Sequence, residues 1–210
     1  MTNPTRFWDR AAEKYAASPI KDMPAYEYTL DRTRSYLKST DRVLELGCGT
    51  GSTGLLLAGA VAHYHGTDIS PEMIRIARDK AASDNVDNIT FSAATAEDGI
   101  AEAGPVDVVL ALNLLHLLRD VEDVFDAIHG ALPQGGYFIS KTVCLAEPSI
   151  GLRRFAFRAM IPLMRLVRLA PFVRSFRFDG LEKSIEAAGF EVIETSTGPV
   201  MSRYIVARKV

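Results

Sequence analysis

The segment that most constrains the fold is the run from residue 43 to residue 54, with the sequence VLELGCGTGSTG. An apolar strand runs through Glu45 into a turn in which glycines alternate with other residues, at Gly47, Gly49 and Gly51. Glycines at this spacing weaken a fold unless close approach is needed, and they let the backbone come nearer to a ligand than any side chain allows. The segment therefore predicts a strand, a ligand-binding turn and a helix.

The same segment contains two overlapping glycine patterns, which predict different ligands. Gly49, Gly51 and Gly54 spell G-x-G-x-x-G, a dinucleotide-binding pattern, and Asp68 lies at the offset of about 20 residues expected for an acid on ribose hydroxyls. Glu45 weighs against this interpretation, because a carboxylate repels a pyrophosphate and attracts a positively charged ligand. An NAD(P)-dependent oxidoreductase stays as the alternative.

Length and composition favour a single globular domain. The chain has 210 residues, 48% of them hydrophobic, and its formal net charge of -2 gives no electrostatic reason to expect nucleic acid as a partner. Its two cysteines, Cys48 and Cys144, indicate neither a disulfide framework nor a metal site. Because residues 1–17 lack a signal-peptide core and no apolar run reaches the ~18 residues of a membrane span, we expect a cytoplasmic protein.

Strand-like apolar runs alternate with helical patterns, which is typical of a parallel sheet covered on both faces. The last two strands are joined by too few residues for a parallel crossover and must form an antiparallel hairpin. The predicted strands cover residues 42–46, 62–68, 89–93, 106–112, 136–142, 191–195 and 204–208. The predicted helices cover residues 6–17, 51–60, 71–83, 96–103, 121–132 and 180–188.

The E-x-G-x-G-x-G pattern that begins at Glu45 resembles motif I of the class I S-adenosylmethionine (SAM) methyltransferases. The resemblance implies SAM as the cofactor, with its ammonium and sulfonium near Glu45 and the turn residues Gly47, Cys48 and Gly49 against it. It also implies an α/β fold with a Rossmann-like, seven-stranded, mostly parallel sheet, a C-terminal antiparallel hairpin and helices on both faces.

In this interpretation the whole chain, 1–210, is one methyltransferase domain. Residues 1–40 would form an N-terminal helical cap and residues 41–142 the SAM-binding core. Residues 148–178 would form a helical lid inserted between strands five and six, and residues 179–210 the last helix and the terminal hairpin.

Residues 66–70, GTDIS, resemble motif II of the same family. The resemblance implies that Asp68 accepts hydrogen bonds from both ribose hydroxyls and that Ile69 and Met73 sandwich the adenine ring. The next segment, FSAATAEDG at residues 91–99, departs from the family pattern, because Thr95 stands where many relatives have an aspartate. We expect the adenine edge to be recognised around Ala96, with Thr95, Glu97 or Asp98 as the side-chain partner.

The segment VDVVLALNLLHLLRD at residues 106–120 holds the candidate catalytic residue. Asn113 falls at a predicted strand end, beside the expected methionine moiety, and His116 follows at the rim of the same crevice. His116 is the candidate general base, and a histidine packed between leucines is an equally weighted interpretation. The segment lacks the Asn/Asp-Pro-Pro-aromatic tetrad of enzymes that methylate nucleobase or glutamine amines, and it lacks spaced aspartates that would suggest a metal site.

The N-terminal helix and the insertion at residues 148–178 are expected to select the substrate. Residues 6–17 predict an amphipathic helix whose Phe7, Trp8, Ala11 and Tyr15 either close over the cofactor or simply pack on the sheet edge. Residues 148–178 contain seven arginines and no acidic residue. This segment predicts a lid for a hydrophobic acid or lipid head group, a weak contact with an anionic membrane surface, or a cover that buries its leucines.

The sequence thus predicts a SAM-dependent methyltransferase that acts on a small, apolar or amphipathic acceptor. It resembles the broad group that includes the ubiquinone and menaquinone biosynthesis methyltransferases. A SAM-binding regulator without turnover is a further alternative.

Overall fold

The computed structural model describes residues 3–151, 160, 170–198 and 201–210. Seven strands in these ranges form a single sheet with the order β3-β2-β1-β4-β5-β7-β6. Strands β1 to β5 are mutually parallel, and β7 is antiparallel to both β5 and β6. The strands are β1 (Arg42–Leu46), β2 (His63–Asp68), β3 (Ile89–Ala93), β4 (Val108–Leu112), β5 (Tyr137–Val143), β6 (Phe190–Thr197) and β7 (Ser202–Lys209).

The described ranges contain seven α-helices, which cover both faces of the sheet. One face packs against α5, α6 and α7 around Phe125 and Phe138, and the other packs against α2, α3 and α4 around Tyr64 and Tyr204. Strands buried on both faces need continuous apolar runs; β4 provides one, and the run of β1 is interrupted by the buried Glu45. The helices are α1 (Pro4–Ala17), α2 (Met23–Arg34), α3 (Ser52–Leu57), α4 (Pro71–Ser83), α5 (Ala96–Glu102), α6 (Val121–Ala131) and α7 (Phe178–Ala187).

The topology fixes where a ligand site belongs. From β1 the chain proceeds outward through β2 to β3, and it then returns to place β4 on the other side of β1. In open parallel sheets the connections diverge at such a switch point, which leaves a crevice outside the carboxyl ends of the two central strands. The glycine turn follows β1 and Asn113 follows β4, so both lie at this edge.

The predicted Rossmann-like fold is confirmed, with strand ends that differ from the predicted ones by at most two residues. The sequence analysis did not predict α2 as a separate helix. The predicted helix over residues 51–60 is in fact α3 followed by a 3₁₀ turn at Ala58–Ala60.

Most of the predicted lid, residues 152–159 and 161–169, lies outside the described residues, including Arg153, Arg154, Arg158, Arg165 and Arg168. The described part of this insertion has a 3₁₀ turn at Pro148–Ile150 and an irregular path over residues 171–177. Across the described ranges, no helix is both long and apolar enough to cross a bilayer.

Candidate active site

A cavity of about 740 Å³ lies at the switch point of the sheet. This volume is within the range of roughly 300–1,000 Å³ that is typical of small-molecule sites. Most of the residues that the sequence predicted for the site line it, namely Tyr15, Gly47, Gly49, Asp68, Ile69, Met73, Ala96, Glu97 and Asn113. The predicted residues Glu45, Cys48 and His116 are absent from the described lining.

The glycines of the turn serve two different purposes. A Cβ atom on Gly49 would meet only Tyr15 Cε1, at 3.7 Å, and Gly49 lines the cavity, so its backbone is open to a ligand. A Cβ atom on Gly51 would instead lie 2.7 Å from Phe91 Cζ and 2.9 Å from Ala77 Cβ. Gly51 also has a φ of 74°, so both backbone conformation and internal packing require glycine there.

Asp68, at the end of β2, is one of three acids in the described lining of the cavity. Its Oδ2 accepts a hydrogen bond from the Gly49 backbone N–H at 3.0 Å, and its Oδ1 accepts one from the Ser70 N–H at 2.9 Å. Burial raises the Asp68 pKa, and these two hydrogen bonds partly offset that effect. Each carboxylate oxygen has a second acceptor site, so Asp68 can accept from two ligand hydroxyls while it holds the turn.

Glu45 is a buried charge in the middle of the sheet, with 2% of its surface exposed. The Tyr64 hydroxyl donates a hydrogen bond to Glu45 Oε2 at 2.9 Å. Burial raises the Glu45 pKa to about 7; the Tyr64 hydrogen bond opposes this shift, and the negative charge of Asp68 adds to it. Burial and the charges of Glu45 and Asp68 also raise the pKa of the cavity-lining Tyr15.

This electrostatic arrangement favours a cation in the cavity. None of the described groups that shift the Glu45 pKa carries a positive charge. A buried carboxylate without a cationic partner is costly to ionise, and a ligand cation nearby would lower that cost.

The thiol of Cys48 is buried and contacts the Gly49 carbonyl oxygen at 3.7 Å. Burial, followed by the charges of Glu45 and Asp68, raises the Cys48 pKa well above its usual range. The Cys48 backbone N–H donates to the Thr67 carbonyl at 2.8 Å, which ties the turn to β2. Cys48 is therefore an unreactive packing residue in this arrangement.

Helix α1 lies over the cavity and contributes Phe7, Trp8 and Tyr15 to its lining. The helix packs on α4 through a small apolar cluster that includes Ala12 and Met73. Asp9 Oδ1 also accepts a hydrogen bond from the Ser70 hydroxyl at 2.6 Å, at the N-terminus of α4. The predicted amphipathic helix is thus present, and its aromatic residues face the cavity.

The N-terminus of α5 forms the wall at which adenine recognition was expected. Thr95 is the N-cap residue, and its hydroxyl accepts from the Asp98 N–H at 3.1 Å and donates to the Asp98 carboxylate at 2.9 Å. Both side chains are therefore engaged with each other. The lining here consists of Ala94, Thr95, Ala96 and Glu97.

Asn113, at the end of β4, has a left-handed backbone with a φ of 63°. Its N–H donates to the Lys141 carbonyl at 2.7 Å, which holds this conformation against β5. Left-handed residues other than glycine are uncommon, are enriched in asparagine and cluster at functional sites. Asn113 is exposed and lines the cavity.

His116 is placed beside the cavity wall rather than in it. Its carbonyl accepts a hydrogen bond from the Arg174 N–H at 2.7 Å, and its buried Nδ1 has no partner among the described residues. Burial lowers the His116 pKa to about 4. Because a base with so low a pKa is weak at neutral pH, these observations favour the packed-histidine interpretation, and the base role stays a prediction.

The sequence analysis missed one part of the site, which we call the leucine–arginine wall. It follows Asn113 in the chain and is completed by two residues of the Arg-rich insertion. The only sequence signal for it was the run of leucines around His116. The wall consists of Leu117, Leu118, Arg119, Asp120, Pro171 and Phe172.

Comparisons with known proteins identify the family. A sequence profile described as "Methyltransferase domain" matches residues 37–161. A ubiquinone biosynthesis O-methyltransferase from Mesorhizobium japonicum is 31% identical over 184 residues, which cover 84% of this chain and 70% of that protein. One of the same description from Sinorhizobium fredii is 30% identical over 159 residues, which cover 73% of this chain and 61% of that protein.

A solved structure shares the fold. Magnesium protoporphyrin IX methyltransferase from Synechocystis PCC 6803, with bound S-adenosylhomocysteine (SAH), superposes with a TM-score of 0.68 at 20% identity. The match covers 98% of this chain and 93% of that one. The fold and the position of the cavity are those of a Rossmann-like protein that binds a nucleotide-type cofactor at the switch point of its sheet. The chain belongs to the class I SAM-dependent methyltransferases, so SAM is its cofactor.

Proposed function

We propose that this chain transfers a methyl group from SAM to a small acceptor that is apolar or amphipathic. The observation that carries the proposal is the division of the cavity into two chemically different parts. The glycine turn, Asp68 and the N-terminus of α5 form a polar, negatively charged part, and the leucine–arginine wall forms a largely apolar part. The first part suits a cationic nucleoside, and the second suits an apolar body.

The residues present fit SAM. Glu45 lacks a cationic partner among the described residues, which suits an ammonium and a sulfonium nearby. We assign Asp68 to the ribose, the Gly47–Gly49 turn and Asn113 to the methionine moiety, and the backbone at Ala96 and Glu97 to the adenine edge. Ile69 and Met73 would cover the adenine faces.

SAM supplies an electrophilic methyl group on a sulfonium. The protein then needs mainly to align the acceptor in line with that methyl group and to exclude water. Helix α1 supports the second role, because Phe7 and Trp8 cover the cavity. The leucine–arginine wall supports the first, because it provides an apolar surface beside the methionine end at Asn113.

The chain spans 61% of the length of the Sinorhizobium relative. The alternative of an NAD(P)-dependent oxidoreductase is overturned by the family match. A SAM-binding regulator without turnover has the same cofactor site and differs only in the absence of transfer.

Transfer of tritiated methyl groups from SAM into the small-molecule fraction of a cell extract tests the proposal. Incorporation above a control with excess SAH supports it. SAH binding without incorporation into any fraction would favour the regulator.

In the same assay, a lower rate for His116→Ala with unchanged SAH affinity would support the base role, and equal rates would leave His116 as a packing residue.

A further inference from the structure

The leucine–arginine wall contains a charge that the cofactor site does not use. The Arg119 guanidinium carbon lies 4.5 Å from the centroid of the Phe172 ring, and both residues line the cavity. No carboxylate among the described residues pairs with the Arg119 side chain. No described residue accepts a hydrogen bond from the Arg119 side chain, so its fork of N–H donors, which matches a carboxylate, is available to a ligand.

Arg174 holds this arrangement in place. Its Nη1 donates to the Arg119 carbonyl at 3.0 Å and to Glu122 Oε2 at 2.8 Å, and its Nη2 also contacts the Glu122 carboxylate. Its backbone N–H donates to the His116 carbonyl at 2.7 Å. The segment that carries Phe172 is therefore attached to the segment that carries Arg119, and this attachment holds the Arg119–Phe172 pair at the cavity.

The charges of the lining single out Arg119 as the site for an anion. The other charged residues of the described lining are the acids Asp68, Glu97 and Asp120. Asp68 and Glu97 belong to the proposed ribose and adenine parts. Asp120 is the N-cap residue of α6, where the positive end of the helix dipole stabilises a carboxylate. Arg119 is exposed and contacts the Phe172 ring, and it forms no ion pair with a carboxylate of the described residues.

We infer that the acceptor is an apolar acid whose carboxylate binds Arg119 and whose apolar body lies against Leu117, Leu118 and Phe172. This inference rests on the proposed function, because it names the substrate class of the same cavity. Arg119 is a specificity residue in this account, and Arg174 is a positioning residue that acts through it.

The test uses two probes of the same size and shape, 2-naphthoate and its neutral counterpart 2-naphthamide. Their affinities are measured by calorimetry with and without saturating SAH. We expect the wild-type protein to bind naphthoate about tenfold more tightly than naphthamide, as for a charge-assisted bidentate contact. Arg119→Gln should bring this ratio close to one, and its affinities for naphthamide and SAH should not change.

Two further variants test whether the effect comes from charge at the cavity. Arg177→Gln removes the same charge from a neighbouring residue that pairs with Asp179 and is absent from the described lining, so the ratio should stay at the wild-type value. Asp120→Asn removes a competing negative charge, so naphthoate should bind more tightly while naphthamide does not change.

Several outcomes would overturn the inference. One is equal affinity of the wild-type protein for naphthoate and naphthamide. Another is a ratio of these two affinities that does not change in Arg119→Gln. Failure of both probes to bind would place the acceptor elsewhere. A weaker SAH affinity in Arg119→Gln would assign Arg119 to the cofactor carboxylate instead. Failure of the proposed function has a different signature, the absence of SAH binding to the wild-type protein.

Discussion

Glu45 is a buried carboxylate whose charge raises the pKa values of Tyr15 and Cys48 beside it. Its carboxylate is buried within β1, where the neighbouring strands contribute only Gly66 and Leu110 at the same level. Its charge is offset by a single described hydrogen-bond donor, the Tyr64 hydroxyl. An unneeded charge at such a position would destabilise the fold, so we interpret Glu45 as a residue retained for a cationic ligand.

We predict that Glu45→Gln stabilises the protein without cofactor at alkaline pH. The Glu45 pKa rises from 4.5 to about 7 on folding, so the unfolding free energy falls between pH 4.5 and 7 and stays lowered above pH 7. Glutamine avoids this penalty, which is roughly 3 kcal/mol. Urea unfolding should give wild type and variant nearly equal unfolding free energies at pH 4.5, and the variant should have the higher unfolding free energy at pH 8.

Glu194→Gln is the matched control, with the opposite sign. Hydrogen bonds from Arg32 lower the Glu194 pKa in the folded protein. Ionised Glu194 therefore stabilises the folded state at pH values above the pKa that Glu194 has in the unfolded chain, and this stabilisation is lost as the pH falls. Its removal should destabilise the protein at pH 8. An unfolding free energy of Glu45→Gln at or below that of wild type at pH 8 would contradict our interpretation of Glu45.

Asp68 is the second residue whose replacement should have a measurable effect, in this case on the affinity for SAH. Asp68→Ala removes the proposed ribose acceptor and the acceptor for two turn amides, so SAH affinity should fall by about 1.5–3 kcal/mol. Asp79→Ala removes an acid that forms an exposed ion pair with Arg75 and lies outside the described lining. Calorimetry with SAH should show a loss for the first variant only, and equal affinities for both would remove the ribose assignment.

Among the elements, α1 has the clearest separate function. It packs on α4 through a small apolar cluster and carries three aromatic residues of the cavity lining. Sequence predicted this helix over residues 6–17 from its apolar spacing; the structure begins it at Pro4, after the N-cap residue Asn3. Helix α2 was missed because its sequence, MPAYEYTLDRTR, is mostly polar, and it buries only Thr29, Leu30 and Thr33.

We predict that Asp9→Asn loosens α1 and speeds release of SAH. The change weakens a contact to Ser70 and the interaction of a carboxylate with the N-terminus of α4, worth about 1 kcal/mol together. The dissociation rate should rise by about fivefold. The single tryptophan of the sequence, Trp8, lines the cavity, so stopped-flow fluorescence can report this rate directly.

Glu13→Gln is the control for this experiment. It removes the same charge from α1 at an exposed pair with Arg75, where ion pairs contribute little. Its SAH dissociation rate should equal that of wild type. A rate for Asp9→Asn equal to that of Glu13→Gln would show that α1 does not retain the cofactor.

At the scale of the whole molecule, the sheet brings together residues that are distant in sequence. The cofactor part of the site could be predicted because each of its segments directly follows a strand, and parallel strands end at one edge. The leucine–arginine wall could not, because Arg119 and Phe172 meet only through the path of an irregular segment. The short connection between β6 and β7 predicted the terminal hairpin, but it does not decide which of the two strands pairs with β5, so the insertion of β7 between β5 and β6 was not predicted.

The central claim is that the acidic switch-point cavity binds a sulfonium nucleoside and not a dinucleotide. Calorimetric titration of the purified protein at pH 8, first with SAH and then with NADH, tests it most directly. We predict one SAH bound per chain, displaced by SAM, and no heat of binding with NADH. Tight binding of NADH by a protein that gives no signal with SAH would contradict the account.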